Sequence, residues 1–470
     1  MTAGFMTEIE EALAAFANFM WGPQLVVLLV GGGLFFMVHS RLQHFRYVGH
    51  SLDLLRGKYN SGDDGVAGDI SHFRALATAL AGTIGVGNIS GVAVAITVGG
   101  PGAVFWMWVT ALVGSSTKFY TASLAIMYRG KDDSGKLQGG PMYVIREGLG
   151  QKWLPLAWMF AIAGMIGTLP VFQINQLVQI LRDVLAVPAG LATADDHFNF
   201  DLIMGLILSV ALFSIAAGKV KRVSAVASKL VPGMVVFYFV ITAYLLLVNA
   251  AEIPAMFSLI FRDAFTGAAA AGGTLGGVIL IGVQRGVFSN EAGLGSAPIA
   301  HAAAETKGPV NQGLIAMLGT FIDTIIVCSI TGLAIIASGA WTSGESGAAL
   351  TSLAFETSLP GFGGYLIAIS LSIFAFTTIL GWSYYGEKCM EFLFGVKVML
   401  PYRLVWIVAI YFGATADLGF VWLLADTLNA MMALPNLIAL ALLSPVVFKV
   451  TKEFFATGGK SEEPGYKAAE

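Results

Sequence analysis

The 470-residue sequence is poor in cysteine and in charge: it has two cysteines, and Asp, Glu, Lys and Arg together make up 12% of it. Cys328 falls inside an apolar run and Cys389 just past one, which excludes a disulfide framework. A soluble domain carries about a quarter of its residues as charged side chains, so so low a fraction beside 56% hydrophobic residues excludes an ordinary soluble enzyme. The formal charge of -3 leaves no basic surplus for nucleic acid. No HExxH or CxxC occurs, and Gly459-Lys460-Ser461 ends like a P-loop but has Phe454 where the first glycine belongs. With no nucleophile and base in a recognisable set, the chain reads as a non-enzyme.

What the sequence does have is long apolar runs. The start, with Glu8, Glu10 and Glu11 and no Lys or Arg, is acidic where a secretory signal is positive, so the run from Phe19 to Val38 reads as a retained first helix. Helix-length segments follow at about 73–98, 103–127, 155–186, 202–218, 231–249, 273–300, 313–338, 364–387, 402–415 and 418–448. That predicts an all-α polytopic protein of about 11 transmembrane helices, the last one crossed by Pro435. An outside N-terminus and a cytoplasmic C-terminus put most of the 26 Lys and Arg inside, among them Arg41, Lys58, Arg129, Lys221, Lys307, Lys388 and Lys449. The expected divisions are an N-terminal helix and cytoplasmic linker (1–72), a first five-helix repeat (73–249), an extracellular connection (250–272), a second repeat (273–449) and a polar cytoplasmic tail (450–470).

Two spans carry the marks of interruption. The run Gly82-Thr83-Ile84-Gly85-Val86-Gly87-Asn88-Ile89-Ser90-Gly91 sets four glycines and three polar side chains in mid-span. Its Gly85-Val86-Gly87 start resembles a dinucleotide fingerprint, but Ser90 replaces the third glycine and no βαβ unit surrounds it. Backbone unwound at membrane depth lines a cavity or is buried in protein, and its freed N–H and C=O groups become ligands. About 200 residues later a second broken span is expected, where Gly276, Gly277, Gly282 and Gly286 lead into Asn290-Glu291-Ala292-Gly293-Leu294-Gly295, with Glu291 just beyond the break. Paired interruptions in corresponding positions point to an inverted-repeat transporter. Lys118, Arg285, Glu291, Asp323 and Asp426 are ionisable at depth and are expected to pair or to serve function, whereas the six histidines read as interfacial or solvated.

The runs 82–88, Gly99-Gly100-Pro101-Gly102-Ala103-Val104-Phe105-Trp106, Gly139-Gly140-Pro141-Met142-Tyr143, Phe288 to Ala297, and Ile379-Leu380-Gly381-Trp382-Ser383-Tyr384-Tyr385-Gly386 resemble the alanine or glycine:cation symporter family, from about residue 70 to 450. The resemblance implies a LeuT-like 5+5 inverted-repeat core behind one extra N-terminal helix, in a bacterial or archaeal inner membrane. It implies sodium-coupled import of a small neutral amino acid, alanine or glycine, by alternating access. A proton-coupled carrier of another small solute on the same fold is the alternative.

On that basis the break at Thr83, Gly85 and Gly87 is the carboxylate site, with Gln173 and Asn175 as further substrate contacts. A break at Ile281-Gly282 would offer carbonyls to the ammonium, while Ile281 and Trp382 close the side-chain end of the pocket. Phe374, Thr377 and Thr378 lie at i, i+3 and i+4, so one carbonyl and two hydroxyls can meet on a helix face; carbonyls of Ala81 and Ile84 complete a five-oxygen sodium site. This is similar to the second sodium site of LeuT-like symporters. Sodium is expected as the co-transported ion, with no resident cofactor, and the expected partners are the amino acid, sodium and membrane lipid, without nucleic acid or an obligate protein.

Overall fold

A computed structural model of the chain describes residues 2–57, 68–193, 195–216, 219–266, 274–306 and 308–456. Lys58, Lys307, the end of the 250–272 connection, and the tail from 457 with its Gly459-Lys460-Ser461 run lie outside the described residues.

Among the described residues the regular structure is helical apart from one small hairpin, β1 (Gly130–Lys131) with β2 (Leu137–Gln138). Only helices satisfy every backbone group inside a single segment within a bilayer, which is why each apolar run folds this way. In chain order the helices that matter are α1 (Glu11–His39), α2 (His72–Thr83), α3 (Gly87–Gly99), α4 (Gly102–Met127), α5 (Gln151–Ala186), α6 (Phe198–Ala216), α7 (Lys219–Val248), α8 (Leu275–Asn290), α9 (Ala297–His301), α10 (Pro309–Ala337), α11 (Gly363–Phe394), α12 (Met399–Thr415) and α13 (Leu418–Ala456). Among the described residues, seven helices are long and apolar enough to cross a membrane, or eight when the bent pair α2 and α3 is taken as one span. Pro435 and Pro445 lie within an otherwise continuous α13.

Lipid-facing and buried helices differ in what they expose. Ile203, Val210, Val240, Leu247, Leu404 and Val408 on α6, α7 and α12 are open on the outer surface, apolar side chains suited to acyl chains. By contrast α4 is buried along nearly its whole length, with Ser115, Thr117, Lys118 and Thr121 among its enclosed polar groups.

Glycine sets how closely the central helices approach. A methyl group on Gly282 would lie 2.7 Å from the Ala103 carbonyl oxygen, and one on Gly286 would lie 3.2 Å from the Met107 Cα. These glycines let α8 lie directly on α4, and α8 runs unbroken through Ile281 and Gly282. The expected break at Ile281-Gly282 is therefore corrected: the glycines there serve close helix packing, as small residues commonly do in membranes.

Candidate functional site

The first interruption falls where the glycines and polar residues put it. α2 ends at Thr83, Ile84 turns extended with φ -77° and ψ 100°, and α3 restarts at Gly87 at an angle of 51°. The restart is a π-helical turn over Gly87–Gly91, entirely buried. The Asn88 side chain caps the gap by accepting the Gly85 N–H at 2.8 Å. Among the described residues, the amides of Val86 and Gly87 have no backbone acceptor, leaving them as donors at the start of α3.

The second interruption lies beyond the α8 glycines. Glu291 caps α8 in the left-handed conformation with φ 55°, and Gly293 and Gly295 follow at φ 98° and 92°, before α9 begins. A left-handed Glu is unfavourable, and it is held here by its own side chain. The buried Glu291 carboxylate accepts the Ser296 hydroxyl at 2.5 Å and the Trp382 indole N–H at 2.8 Å. The Asn436 amide donates to the Gly293 carbonyl at 2.8 Å, tying the break to α13.

Between the interruptions lies Asp323, fully buried in a π-helical stretch of α10 over Phe321–Cys328. Its carboxylate accepts the Asn88 amide at 2.7 Å, the Ser289 hydroxyl at 3.0 Å and the Thr324 hydroxyl at 2.7 Å. One carboxylate thus gathers α3, α8 and α10. Lys118, buried on α4, lies within electrostatic reach of Asp323 and Glu291.

α11 lies against the first interruption. The Thr378 hydroxyl is 3.4 Å from the Ile84 carbonyl oxygen, and a methyl group on Gly381 would fall 2.8 Å from the Gly82 nitrogen and 3.3 Å from the Ala81 carbonyl carbon. Ala81, Ile84 and Thr378 are therefore neighbours. Phe374 and Thr377 sit up to one turn earlier on α11, where the Thr377 hydroxyl donates back to the Phe374 carbonyl at 2.9 Å and contacts the Met234 sulfur at 3.3 Å.

The other expected residues divide. Thr83 is buried at the break, with its hydroxyl donating to Ala79 at 3.2 Å, one turn back in its own helix. Gln173 is buried with its side-chain oxygen unpartnered, as a ligand-facing amide would be. The Asn175 NH2 group donates to the Gly413 and Ala416 carbonyls at 3.1 and 2.8 Å, stitching α5 to the end of α12. Ile281 packs against Gly99, whereas Trp382 reaches Glu291 at the other end of α8.

Three further features are organised around these breaks. The Arg285 guanidinium meets Asp426 at 2.5 Å and lies 4.6 Å over the Trp422 ring, where Phe172 meets both Trp422 and Phe288 edge to face. On another side of the breaks, residues 68–70 form a backbone bridge with 303–305, and Arg129 donates to the Ala304 and Thr306 carbonyls. Next to that bridge, His301 is buried and shares Gln312 with His72, which corrects its reading as an interfacial residue.

The sequence pattern of the sodium:alanine symporter family matches residues 6–468. The chain belongs to the sodium:alanine symporter family. It is 45% identical over 442 residues to the sodium/alanine symporter AgcS of Methanococcus maripaludis, covering 93% of this chain and 95% of that one. It is 43% identical over 459 residues to a transporter of Haemophilus influenzae, covering 95% and 96% respectively. The crystal structure of MhsT in complex with L-phenylalanine shares the fold, with a TM-score of 0.56 at 16% identity over 83% of this chain and 99% of that one. Membership in this symporter family makes the chain a multi-pass membrane transporter of amino acids.

Sequence reasoning named Asp323 as ionisable at depth without assigning its partners. Asn88 and Asp323 are 235 positions apart, and no local pattern joins them. The aspartate's place in a membrane span was the available signal.

Proposed function

We infer that this symporter imports a small neutral amino acid, alanine or glycine, driven by sodium through alternating access. The observation that carries the reading is the unwound Ile84–Val86 segment lying against Thr378. A zwitterion needs donors for its carboxylate and acceptors for its ammonium, and broken helices supply both without placing full charges in the membrane. The amides of Val86 and Gly87, with Thr83 and Gly85 forming the turn, are the carboxylate site. Gln173, with its unpartnered oxygen, and Asn175 are further substrate contacts, and Ile281 and Trp382 close the side-chain end of the pocket.

Sodium takes hard oxygen ligands, and the proposed set is the carbonyls of Ala81, Ile84 and Phe374 with the hydroxyls of Thr377 and Thr378. The Thr377 hydroxyl would turn from its own helix to join them. Because the ion would bridge α2 to α11 at the break that also receives the carboxylate, each ligand raises the affinity for the other. The remaining architecture follows the same reading: eleven spans, a 5+5 inverted-repeat core behind α1, an outside N-terminus and a cytoplasmic C-terminus in a bacterial or archaeal inner membrane.

The alternative is proton coupling, favoured by one observation, the enclosed carboxylates of Glu291 and Asp323 beside Lys118. Equilibrium binding of labelled alanine to purified protein at constant pH separates the two. The sodium reading expects affinity to rise with sodium at fixed ionic strength, and affinity that responds to pH alone would reject it.

A further inference from the structure

The Ile84–Gly85 peptide group faces two ways. A trans peptide points its N–H and C=O in opposite directions. The Gly85 N–H is bound by Asn88 Oδ1 at 2.8 Å, and the Ile84 carbonyl of the same peptide faces the Thr378 hydroxyl at 3.4 Å. Whatever fixes the N–H therefore fixes where the carbonyl points.

Asn88 can hold that N–H only while its amide keeps its oxygen toward Gly85. Its Nδ2 is held by the Asp323 carboxylate at 2.7 Å and by the Asp323 carbonyl at 3.2 Å. A carboxylate accepts and never donates, so it admits the amide in one orientation only. Its other oxygen is bound by Ser289 of α8 and by Thr324. The Cys328 sulfur adds contacts of 3.3 Å to Asn88 and 3.1 Å to Ser289, closing the cluster.

We propose that Asp323 is a positioning residue for ion coupling: acting through Asn88, it orients the Ile84–Gly85 peptide so that the Ile84 carbonyl meets the transported cation, and through Ser289 it ties that orientation to α8. The proposal rests on the sodium-site reading above. Asp323 does not touch the ion. In Asp323→Asn the residue has a single acceptor oxygen for three donors, and the Asn88 amide is free to turn over. A turned amide sets its NH2 against the Gly85 N–H, and the peptide rotates away from the site.

The test measures alanine uptake by the full chain in proteoliposomes, titrating sodium at saturating alanine and alanine at saturating sodium. Asp323→Asn raises the sodium concentration for half-maximal uptake at least tenfold and leaves the alanine KM at saturating sodium within threefold. The exchange Asn88→Asp with Asp323→Asn keeps an acceptor for the Gly85 N–H and a donor–acceptor pair between the two side chains, and it restores sodium half-activation to within threefold of wild type. Asn88→Ala, which leaves Asp323 in place, raises sodium half-activation as Asp323→Asn does, and it serves where Asp323→Asn fails to assemble. A wild-type sodium titration in Asn88→Ala, equal shifts in both titrations for Asp323→Asn, or no rescue by a well-assembled exchange overturns the proposal. Thr378→Ala separates it from the reading beneath: unchanged sodium activation in Thr378→Ala sinks the sodium site itself, whereas a shifted Thr378→Ala beside an unshifted Asp323→Asn sinks only the positioning role.

Discussion

Replacing Gly381 by alanine perturbs the meeting of α11 with the first break at one atom. The added methyl would lie 2.8 Å from the Gly82 nitrogen and 3.0 Å from its Cα, both backbone atoms that cannot swing aside. Ordinary contact begins at 3.4 Å, so the helices must part by roughly 0.6 Å or bend by as much. Overpacking of this kind costs about 1–3 kcal/mol, and the better helix propensity of alanine returns at most about 1 kcal/mol. Thr378 sits one turn earlier on α11, with its hydroxyl on the Ile84 carbonyl, so the separation is carried into the ion site. If binding must close the gap again, a net cost of about 1–2 kcal/mol appears as a roughly fivefold to thirtyfold rise in the sodium needed for half-maximal uptake. Sodium titration of alanine uptake in proteoliposomes reads it, with Gly276→Ala as the comparison because a methyl there meets nothing within 4 Å. Wild-type sodium activation in Gly381→Ala, in protein that melts at the wild-type temperature, would refute the argument.

Other expectations follow from single contacts. Trp382→Phe removes the indole donor from the buried Glu291 carboxylate and lowers thermal stability by about 1–3 kcal/mol, which detergent-solubilised melting curves measure. Arg129→Ala releases the Ala304 and Thr306 carbonyls beside the 68–70 bridge, and a cysteine placed at Ala304 then labels faster with a polar maleimide; an unchanged rate would mean the bridge holds without Arg129. In the hairpin loop, burial disfavours the charge on Asp132, but hydrogen bonds from Ser134 and Gln138 and from the Lys136 amide outweigh it and hold the carboxyl well below the usual range. A depressed carboxyl contributes stability above its unfolded pKa of about 4, and that stability is lost as the pH falls toward the folded value. The protection factors for hydrogen exchange over residues 130–138, taken against the unstructured rate at each pH, should therefore fall on acidification below pH of about 4 in the wild type and stay constant there in Asp132→Asn.

Much of this was legible in the sequence, for reasons that differ from element to element. The helices follow from apolar length alone, because a bilayer leaves backbone no other way to satisfy itself. The first break was legible because glycines and polar side chains sit together at 82–91 without a packing partner implied. The second was misplaced for a physical reason: glycine means both freedom to unwind and freedom to approach, and at Gly282 and Gly286 the approach of α4 decides. The real interruption is built on Glu291 in a left-handed conformation, which no propensity favours and which Ser296 and Trp382 secure through tertiary contact. Asn175 carries a related ambiguity, since a polar side chain in a span can serve substrate or a neighbouring helix, and its NH2 group binds the end of α12. Asn88 and Asp323 meet only after the whole bundle has assembled.

Sodium-driven accumulation is the central claim, and uptake of labelled alanine into proteoliposomes tests it most directly. An inward sodium gradient is compared with an equal potassium gradient at matched voltage and pH. The account predicts accumulation above equilibrium with sodium only, collapsing when a sodium ionophore is added. Accumulation that follows an imposed proton gradient and ignores sodium would contradict it.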